Sequence, residues 1–219
     1  FERFTPVVHM VSIDEAYLDL SEDIRLDMRS AACSLADIAL RVEQEIGITV
    51  SIGLSYNKFL AKLASDLNKP RGFSVVGRAE AKGFLAPLPV RKINGVGEAT
   101  GKRMAENGIT TIGHLRSLSE IQLVSQYGKF GRRLAQYARG DDDRQVTPHR
   151  PPKSVSAETT FKVDIRSAEQ LSDAIRPLCE RVAIRLVRGD IAGGTLTLKL
   201  KTSEFQVLTR NHRLTHPTQ

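Results

Sequence analysis

The sequence contains few cysteines, and this scarcity excludes two classes of protein. Cys33 and Cys179 are its two cysteines, and they lie far apart in a chain of 219 residues. They cannot build a disulfide scaffold, and neither has the closely spaced partner of a cysteine zinc site. We therefore expect a reducing setting, either cytosolic or nuclear.

The sequence also lacks long apolar runs, internal repeats and low-complexity tracts. No stretch approaches the roughly 18 apolar residues of a membrane-spanning helix, and no basic-then-apolar leader opens the chain, so no membrane partner is expected. Its composition, 41% hydrophobic and 26% charged, is that of a globular protein. Because the first residue is phenylalanine, we expect the chain to be a piece of a longer protein.

The formal net charge of +7 is unevenly distributed. Residues 1–81 carry a net charge of −3, residues 82–153 carry +7, and residues 154–219 carry +3. A basic region favours a polyanionic partner, because neutralised phosphates release their counterions. Charge alone does not name that partner, and a merely well-hydrated surface remains the alternative.

The first segment has the pattern of an α/β structure. Two extended runs, residues 7–13 and 16–20, flank Asp14 and Glu15, which predicts a hairpin with a two-residue break and both carboxylates at or near its tip. Helical spacing then predicts helices over residues 34–46 and 57–67. Strands are expected at residues 48–54 and 73–76.

The spacing of the apolar residues changes after this segment. Residues 79–140 show helical periodicity interrupted by glycine and proline, which predicts a small all-helical domain. Residues 141–153 are polar and contain prolines, as in an interdomain linker, and Asp141–Asp143 is interpreted as a solvated run. The last segment predicts a strand at 154–161, a helix at 167–187, and strands at 194–201 and 205–214.

The helical segment contains a motif typical of a helix-hairpin-helix at residues 93–98, Ile-Asn-Gly-Val-Gly-Glu. Gly95, Val96 and Gly97 would present backbone N–H groups at a helix N-terminus, where the helix dipole favours phosphate. Lys102 and Arg103 lie one turn further on. The pattern predicts sequence-independent binding of a nucleic-acid backbone, and an ordinary turn between two helices remains the alternative.

Asp14 and Glu15 are candidate metal ligands. Carboxylate oxygens suit Mg²⁺, and two-metal phosphoryl transfer uses such clusters. An adjacent acidic pair is by itself weak, since most such pairs are solvated turns. The basic residues at 57–58 and 68–72 strengthen the candidate, because they could meet a triphosphate.

Two blocks carry a resemblance to a known family. Residues 12–19 read SIDEAYLD, which resembles the catalytic motif of Y-family translesion DNA polymerases. Residues 51–72 read SIGLSYNKFLAKLASDLNKPRG, a second long block similar to that family. The hairpin at 93–97 resembles the family's thumb motif, and residues 156–161 resemble the first strand of its little finger. The resemblance extends over essentially the whole chain and is greatest to the DNA polymerase IV (DinB-like) branch.

The resemblance implies a fold and a domain order. Residues 1–78 would be a partial α/β palm with the catalytic carboxylates, and residues 79–140 an all-helical thumb with the helix-hairpin-helix. Residues 141–153 would be the linker, and residues 154–219 a partial α+β little finger with βαββ of the family's βαββαβ order.

The resemblance also implies an activity: template-directed DNA synthesis past damaged bases, by nucleotidyl transfer with two Mg²⁺ ions in the complete enzyme. Primer-template DNA and a deoxynucleoside triphosphate would be the substrates, in the bacterial cytoplasm at the nucleoid. Roles are implied for individual residues: Asp14 and Glu15 would be catalytic metal ligands, Lys69 would contact the triphosphate, and Ser12 would lie beside the metal. Gly95, Val96, Gly97, Lys102, Arg103, Lys199 and Lys201 would contact DNA.

The sequence departs from the family pattern at both ends. The family's remaining metal-binding aspartate and its fingers would precede Phe1, and the last helix and strand of the little finger would follow Gln219. A sliding clamp is expected as partner of the parent protein, but residues 206–219 contain no clamp-binding segment. We therefore expect the 219-residue chain alone to be inactive or nearly so.

Two other functions are alternatives to this one. A non-catalytic DNA-binding protein derived from a Y-family polymerase would use the hairpin and the basic surfaces, leaving Asp14 and Glu15 without a role. A nuclease or glycosylase with a helix-hairpin-helix lacks a suitable catalytic lysine–aspartate arrangement near the hairpin.

Overall fold

The computed structural model describes residues 1–24, 26, 29–148 and 152–219. The chain divides into two compact units, Phe1–His149 and Arg150–Gln219. Within the described ranges, no helix has the length and apolar composition that crossing a bilayer requires.

The first unit begins with the predicted hairpin. Strand β1 (Val8–Met10) pairs antiparallel with β2 (Ala16–Leu18), with His9 opposite Tyr17. The two-residue tip expected from the sequence is wrong: residues 11–15 form the turn, in which Val11 N and Ser12 N both donate to Glu15 O, at 2.8 and 3.2 Å. Asp-Glu is not a favoured pair for a two-residue hairpin turn, and the longer loop avoids that conformation.

The predicted helices and strands of the first segment form close to their expected bounds. Helix α1 (Ala31–Arg41) continues as a π-helical turn, Val42–Ile46, and ends at Gly47. Strand β3 (Ile52–Ser55) pairs parallel with β4 (Phe73–Val76), and helix α2 (Lys58–Ser65) connects them. Helix α2 lies directly against β3: a Cβ added at Gly53 would lie 2.0 Å from Ala61 O. This packing fixes α2 beside the sheet.

The second predicted segment is helical, as expected. Its elements are α3 (Ala81–Leu85), a 3₁₀ turn (Val90–Lys92), α4 (Glu98–Glu106), α5 (Ile112–Arg116), α6 (Glu120–Tyr127) and α7 (Lys129–Arg139). One hydrophobic cluster joins these helices to α2 and β4, with Leu60, Leu85 and Met104 fully buried. Each such side chain contributes about 1.5–3 kcal/mol. The shared core holds α2 and the helical segment together.

The second unit contains α8 (Ala168–Arg188) and the antiparallel strands β5 (Gly193–Lys201) and β6 (Val207–Thr218). The predicted helix and both later strands are confirmed, and Pro177 lies inside α8. The strand predicted at 154–161 is not formed. A strand needs a hydrogen-bonded neighbour, and no described residue pairs with this segment, whose backbone contact is Arg185 Nη1 donating to Ser156 O.

The interpretation of Asp141–Asp143 as a solvated run is wrong at its middle residue. Asp142 was interpreted as solvated, yet its side chain is 2% exposed. It accepts from Phe59 N at 3.0 Å and forms an ion pair with Arg144. A carboxylate at a helix N-terminus is favoured by the dipole and by the unpaired N–H groups, which is why it is held there. The stretch 149–151 of the predicted linker lies outside the described residues.

Candidate functional site

The candidate acidic site lies on the loop of the β1–β2 hairpin. Asp14 is exposed, and Ser12 Oγ donates to Asp14 Oδ1 at 2.6 Å. This hydrogen bond, helped by a backbone hydrogen bond, lowers the pKa of Asp14. The Asp14 carboxylate is therefore held charged beside the Ser12 hydroxyl.

Glu15 begins a chain of alternating charges. Lys62 Nζ lies 3.2 Å from Glu15 Oε2 and 3.6 Å from Asp66 Oδ2, so one ammonium group bridges two carboxylates. Lys69 Nζ lies 2.6 Å from Asp66 Oδ1. The chain runs Glu15–Lys62–Asp66–Lys69 and connects the hairpin to the end of α2.

The electrostatics at the far end of this chain favour the charged forms of Asp66 and Lys69. Partial burial by itself would raise the pKa of Asp66, but the Lys69 hydrogen bond and the charges of both lysines lower it. The same hydrogen bond raises the pKa of Lys69. Asp66 and Lys69 therefore remain ionised across neutral pH.

Two of these residues play a part that was not predicted from the sequence. The sequence patterns assign no site role to Lys62 or to Asp66. The spacing Lys62–Asp66 and Asp66–Lys69 is the helical neighbour spacing, which could have indicated the last two contacts. The contact with Glu15 joins residues 47 positions apart, and no local pattern reports it.

Helix α2 is anchored at its N-terminus by the segment that follows α7. Asn57 caps α2 by accepting from Leu60 N at 3.0 Å, and Asn57 Nδ2 donates to Gly140 O at 2.8 Å. Tyr56 Oη donates to the same carbonyl at 3.0 Å. Together with the Asp142–Phe59 contact, these bonds fix the helix that carries Lys62.

A second lysine of α2, Lys58, lies under the hairpin. Its side chain is buried, its Nζ is 3.0 Å from His9 Nδ1, and it lies 4.7 Å from the centre of the Tyr17 ring. Burial raises the pKa of Tyr17 to about 12. Lys58 thus joins both hairpin strands to α2, a contact that the sequence did not predict.

The donor set of Asp14 and Glu15 fits a hard divalent cation. Mg²⁺ is typically held by one or two carboxylates together with water and substrate phosphates. Asp14 offers exposed oxygens and Glu15 is a half-buried neighbour. Among the described residues, no group of three or more histidines, cysteines, aspartates or glutamates is placed to hold a metal.

The predicted helix-hairpin-helix is present between the 3₁₀ turn and α4. Gly95 has a φ of +100°, which L side chains rarely adopt, and a Cβ there would lie 3.0 Å from Phe130 Cζ. Gly97 precedes α4 with a φ of −75°, and a Cβ there would point into open space. Val96 is buried between them and donates to Ile93 O at 2.9 Å. The hairpin is thus anchored at Val96 and open at Gly97.

The two cations of α4 differ in what they contact. Lys102 is exposed. Arg103 Nη2 donates to Gln126 O at 2.8 Å, and its guanidinium lies 5.4 Å from the centre of the Tyr127 ring. Arg103 therefore also has a structural part, because it ties α4 to the end of α6.

Lys199 and Lys201 lie on β5 of the second unit, two residues apart and therefore on one face. Both are exposed; Lys199 Nζ lies 3.7 Å from Glu158 Oε2, and Lys201 Nζ lies 4.3 Å from the centre of the Phe205 ring. Neither contact buries the ammonium group. The face could meet an anionic surface.

Comparison with known protein families matches three segments in chain order. Residues 1–66 match the impB/mucB/samB family, residues 78–109 match its helix-hairpin-helix motif, and residues 152–219 match its C-terminal domain. These matches and the relatives below show that the chain belongs to the Y family of DNA polymerases.

Its relatives place it within that family on the DNA polymerase IV (DinB-like) branch. It is 53% identical to DNA polymerase IV of Brucella melitensis biotype 1 over 98% of this chain and 48% of that protein. It is 52% identical to DNA polymerase IV 1 of Mesorhizobium japonicum over 100% of this chain and 50% of that protein. The chain therefore spans about half the length of these curated relatives.

A solved structure shows the same fold. The Y-family DNA polymerase chimera Dbh-Dpo4(243-245)-Dbh superposes with a TM-score of 0.85 at 22% sequence identity, over 99% of this chain and 62% of that one. The predicted fold class, an α/β multi-domain Y-family arrangement with a helix-hairpin-helix, is confirmed. The family predicted from the two sequence blocks is confirmed as well.

Proposed function

We propose that this chain is part of a translesion DNA polymerase, an enzyme that copies a template past damaged bases by nucleotidyl transfer. The observation that carries the proposal is the continuous ionic chain from Glu15 to Lys69. It connects Glu15, which directly follows Asp14 in sequence, to Lys69, the lysine that would bind the triphosphate. This arrangement has the two parts that phosphoryl transfer needs, a metal-binding edge and an anion-binding cation.

Asp14 and Glu15 would hold Mg²⁺, of which the complete enzyme would use two ions; when bound, they supply charge neutralisation at the reacting phosphate. Ser12 orients the Asp14 carboxylate through its hydrogen bond and would lie beside the incoming nucleotide. Lys69 would contact the triphosphate of the deoxynucleotide. The exposure of Lys69, whose side chain is 56% accessible, supports this role.

DNA would be held by two surfaces. In the first unit, Gly95 and Gly97 would offer backbone N–H groups to a phosphate, with Lys102 and Arg103 adding charge. Val96, whose N–H donates to Ile93 O, would hold the turn in place beside the DNA. In the second unit, Lys199 and Lys201 would follow the DNA backbone. The domain order would be palm at 1–78, thumb at 79–140, linker at 141–153 and little finger at 154–219.

The natural protein that contains this chain would work at the bacterial nucleoid in the cytoplasm, with primer-template DNA and deoxynucleotides as substrates and a sliding clamp as partner. The support is its relationship to proteins named DNA polymerase IV.

Primer extension tests the proposal. With the natural protein that contains this chain, Asp14→Asn and Glu15→Gln are each expected to lower nucleotide incorporation with Mg²⁺ by more than about a hundredfold, because each removes a charged metal ligand. Lys82→Met, an exposed change on α3, is the control and should keep full activity. Templates with and without an abasic site compare lesion bypass with ordinary synthesis.

Two outcomes would contradict the proposal. Unchanged incorporation by both carboxylate variants would remove the acidic site from the chemistry. DNA binding without incorporation by the unsubstituted natural protein would favour the non-catalytic DNA-binding alternative.

A further inference from the structure

Lys62 lies where its ammonium group would repel a metal cation bound to Glu15. Its ammonium group is 3.2 Å from Glu15 Oε2, so it neutralises the carboxylate that the proposed function assigns to Mg²⁺. If a divalent ion bound to Glu15, that ion and the Lys62 ammonium group would be two positive charges in contact with the same carboxylate. The two cations therefore compete for Glu15.

Lys62 also has a second carboxylate within reach. Asp66 lies one helical turn further along α2, and its Oδ2 is 3.6 Å from the same nitrogen. The lysine side chain is 30% exposed, so its end is not held by surrounding core. A small displacement toward Asp66 would exchange one ion pair for another without leaving the ammonium unpaired.

Asp66 is at the same time the partner of Lys69. Lys69 Nζ is 2.6 Å from Asp66 Oδ1, and this bond competes with any anion that Lys69 could bind. If Lys62 moves fully onto Asp66, that carboxylate serves two ammonium groups and holds each less strongly. Occupation of the metal edge would then loosen Lys69 for an anionic ligand.

We propose that Lys62 is an internal counter-ion that competes with a divalent cation for Glu15 and, when displaced, transfers to Asp66 and loosens Lys69. This inference depends on the proposed metal-binding role of Glu15. Because coupling between two sites is reciprocal, an anion bound at Lys69 strengthens cation binding at Glu15 to the same degree. Lys62 is thus a positioning residue that links the two halves of the site.

Two variants that should change cation affinity in opposite directions test the proposal. Binding of Mn²⁺ to the chain and to each variant is measured by electron paramagnetic resonance, with no other ligand present. Lys62→Met removes the competitor and is expected to tighten Mn²⁺ binding about fivefold, the size of a partly exposed ion pair. Asp66→Asn removes the alternative partner of Lys62 and is expected to weaken Mn²⁺ binding about threefold.

Two matched controls remove the effect of overall charge. Lys82→Met makes the same charge change as Lys62→Met on an exposed helix position, and Asp173→Asn matches Asp66→Asn in the second unit. Both controls should leave Mn²⁺ affinity unchanged. A general loss of structure would weaken binding in both test variants, so it cannot imitate the expected pair of opposite shifts.

A second readout follows Lys69 directly. Mild acetylation followed by mass spectrometry measures how reactive each lysine is. Saturating Mg²⁺ is expected to raise the acetylation rate of Lys69 at least about twofold in the unsubstituted chain and to leave it unchanged in Lys62→Met, since a released ammonium loses its proton more readily.

The outcomes separate this inference from the proposed function. If Glu15→Gln leaves Mn²⁺ affinity unchanged, the metal role of Glu15 fails and the counter-ion role fails with it. If Glu15→Gln abolishes Mn²⁺ binding, two results would overturn the counter-ion role alone. One is that Lys62→Met does not tighten Mn²⁺ binding, and the other is that Mg²⁺ does not change the acetylation rate of Lys69.

Discussion

The two glycines of the hairpin give a sharp prediction, because the structure assigns them different parts. Gly95→Ala places a side chain at a φ of +100°, and its Cβ would lie 3.0 and 3.1 Å from two atoms of the Phe130 ring. The left-handed backbone costs about 1–2 kcal/mol, and displacing the ring adds to it. We expect Gly95→Ala to lower the free energy of unfolding by about 2 kcal/mol.

Gly97→Ala should behave differently. Its φ of −75° suits alanine, and its Cβ would meet nothing within 4 Å. Because alanine is a poorer N-cap residue than glycine, we expect the change to cost about 0.5–1 kcal/mol, less than at Gly95. The added methyl would, however, point into the space through which a phosphate must approach the N-terminus of α4. We expect Gly97→Ala to weaken primer-template binding about tenfold, or about 1.4 kcal/mol, the size of one charge-assisted hydrogen bond.

Two measurements separate these effects. Fluorescence anisotropy with a labelled primer-template at low salt measures binding. Urea unfolding followed by tyrosine fluorescence measures stability of the first unit, because the chain has no tryptophan and its four tyrosines lie between residues 17 and 137. Gly83→Ala is the control, since it also adds a methyl into open space, but on α3. It should leave binding unchanged and stabilise the helix by about 0.5–1 kcal/mol.

The reasoning is refuted by either of two results. Gly97→Ala with unchanged DNA affinity would mean that no phosphate approaches this end of α4. Gly97→Ala as destabilising as Gly95→Ala would mean that the open space at Gly97 is not open in the folded chain.

Three further predictions use other parts of the molecule. Asp142→Asn is expected to destabilise the first unit by about 2 kcal/mol in urea unfolding, because it weakens both the Arg144 ion pair and the hydrogen bond to Phe59 N of α2. The control Asp141→Asn, at an exposed position, should cost less than about 0.5 kcal/mol. Equal losses in the two variants would show that the buried contacts of Asp142 do not stabilise the unit. Tyr17 has a pKa of about 12 in the folded chain against 10.0 in the unfolded chain, so its contribution to the free energy of unfolding is complete below pH 10 and is lost as the pH rises to 12. Ultraviolet titration should show one late-ionising phenol fewer in Tyr17→Phe than in the unsubstituted chain. The 219-residue chain alone should incorporate almost no nucleotide with Mg²⁺, because two carboxylates hold the ion loosely; clear primer extension would contradict this.

The elements that could be predicted from the sequence are those whose causes are local. The helix α2 follows its cap at Asn57, α1 and its π-helical turn end at Gly47, and the hairpin at 93–98 follows from two glycines beside a helix start. Each of these signals lies within a few residues of the element it specifies. The Y-family relationship likewise depended on contiguous blocks of sequence.

The errors have a different physical origin. The segment 154–161 has strand-like composition, but a strand exists only with a partner, and composition does not supply one. Asp142 lies in an acidic, proline-containing stretch that resembles a solvated linker, yet its partner Phe59 N is 83 residues away. Burial of a charge depends on such distant partners, so a local pattern cannot distinguish a clamp from a solvated run.

In the acidic site, Lys62 makes one contact that the sequence could indicate and one that it could not. Lys62 and Asp66 are one helical turn apart, so the sequence could indicate their contact, whereas the contact of Lys62 with Glu15 exists because α2 packs on β3 beside the hairpin. The packing that converts a local pair into a bridging cation depends on Gly53, since any Cβ there would meet Ala61 O and push α2 away. A glycine outside the acidic site therefore governs how its carboxylates are neutralised. Gly53→Ala should weaken the Lys62–Glu15 contact although neither of these residues is changed. It should therefore tighten Mn²⁺ binding, as Lys62→Met does.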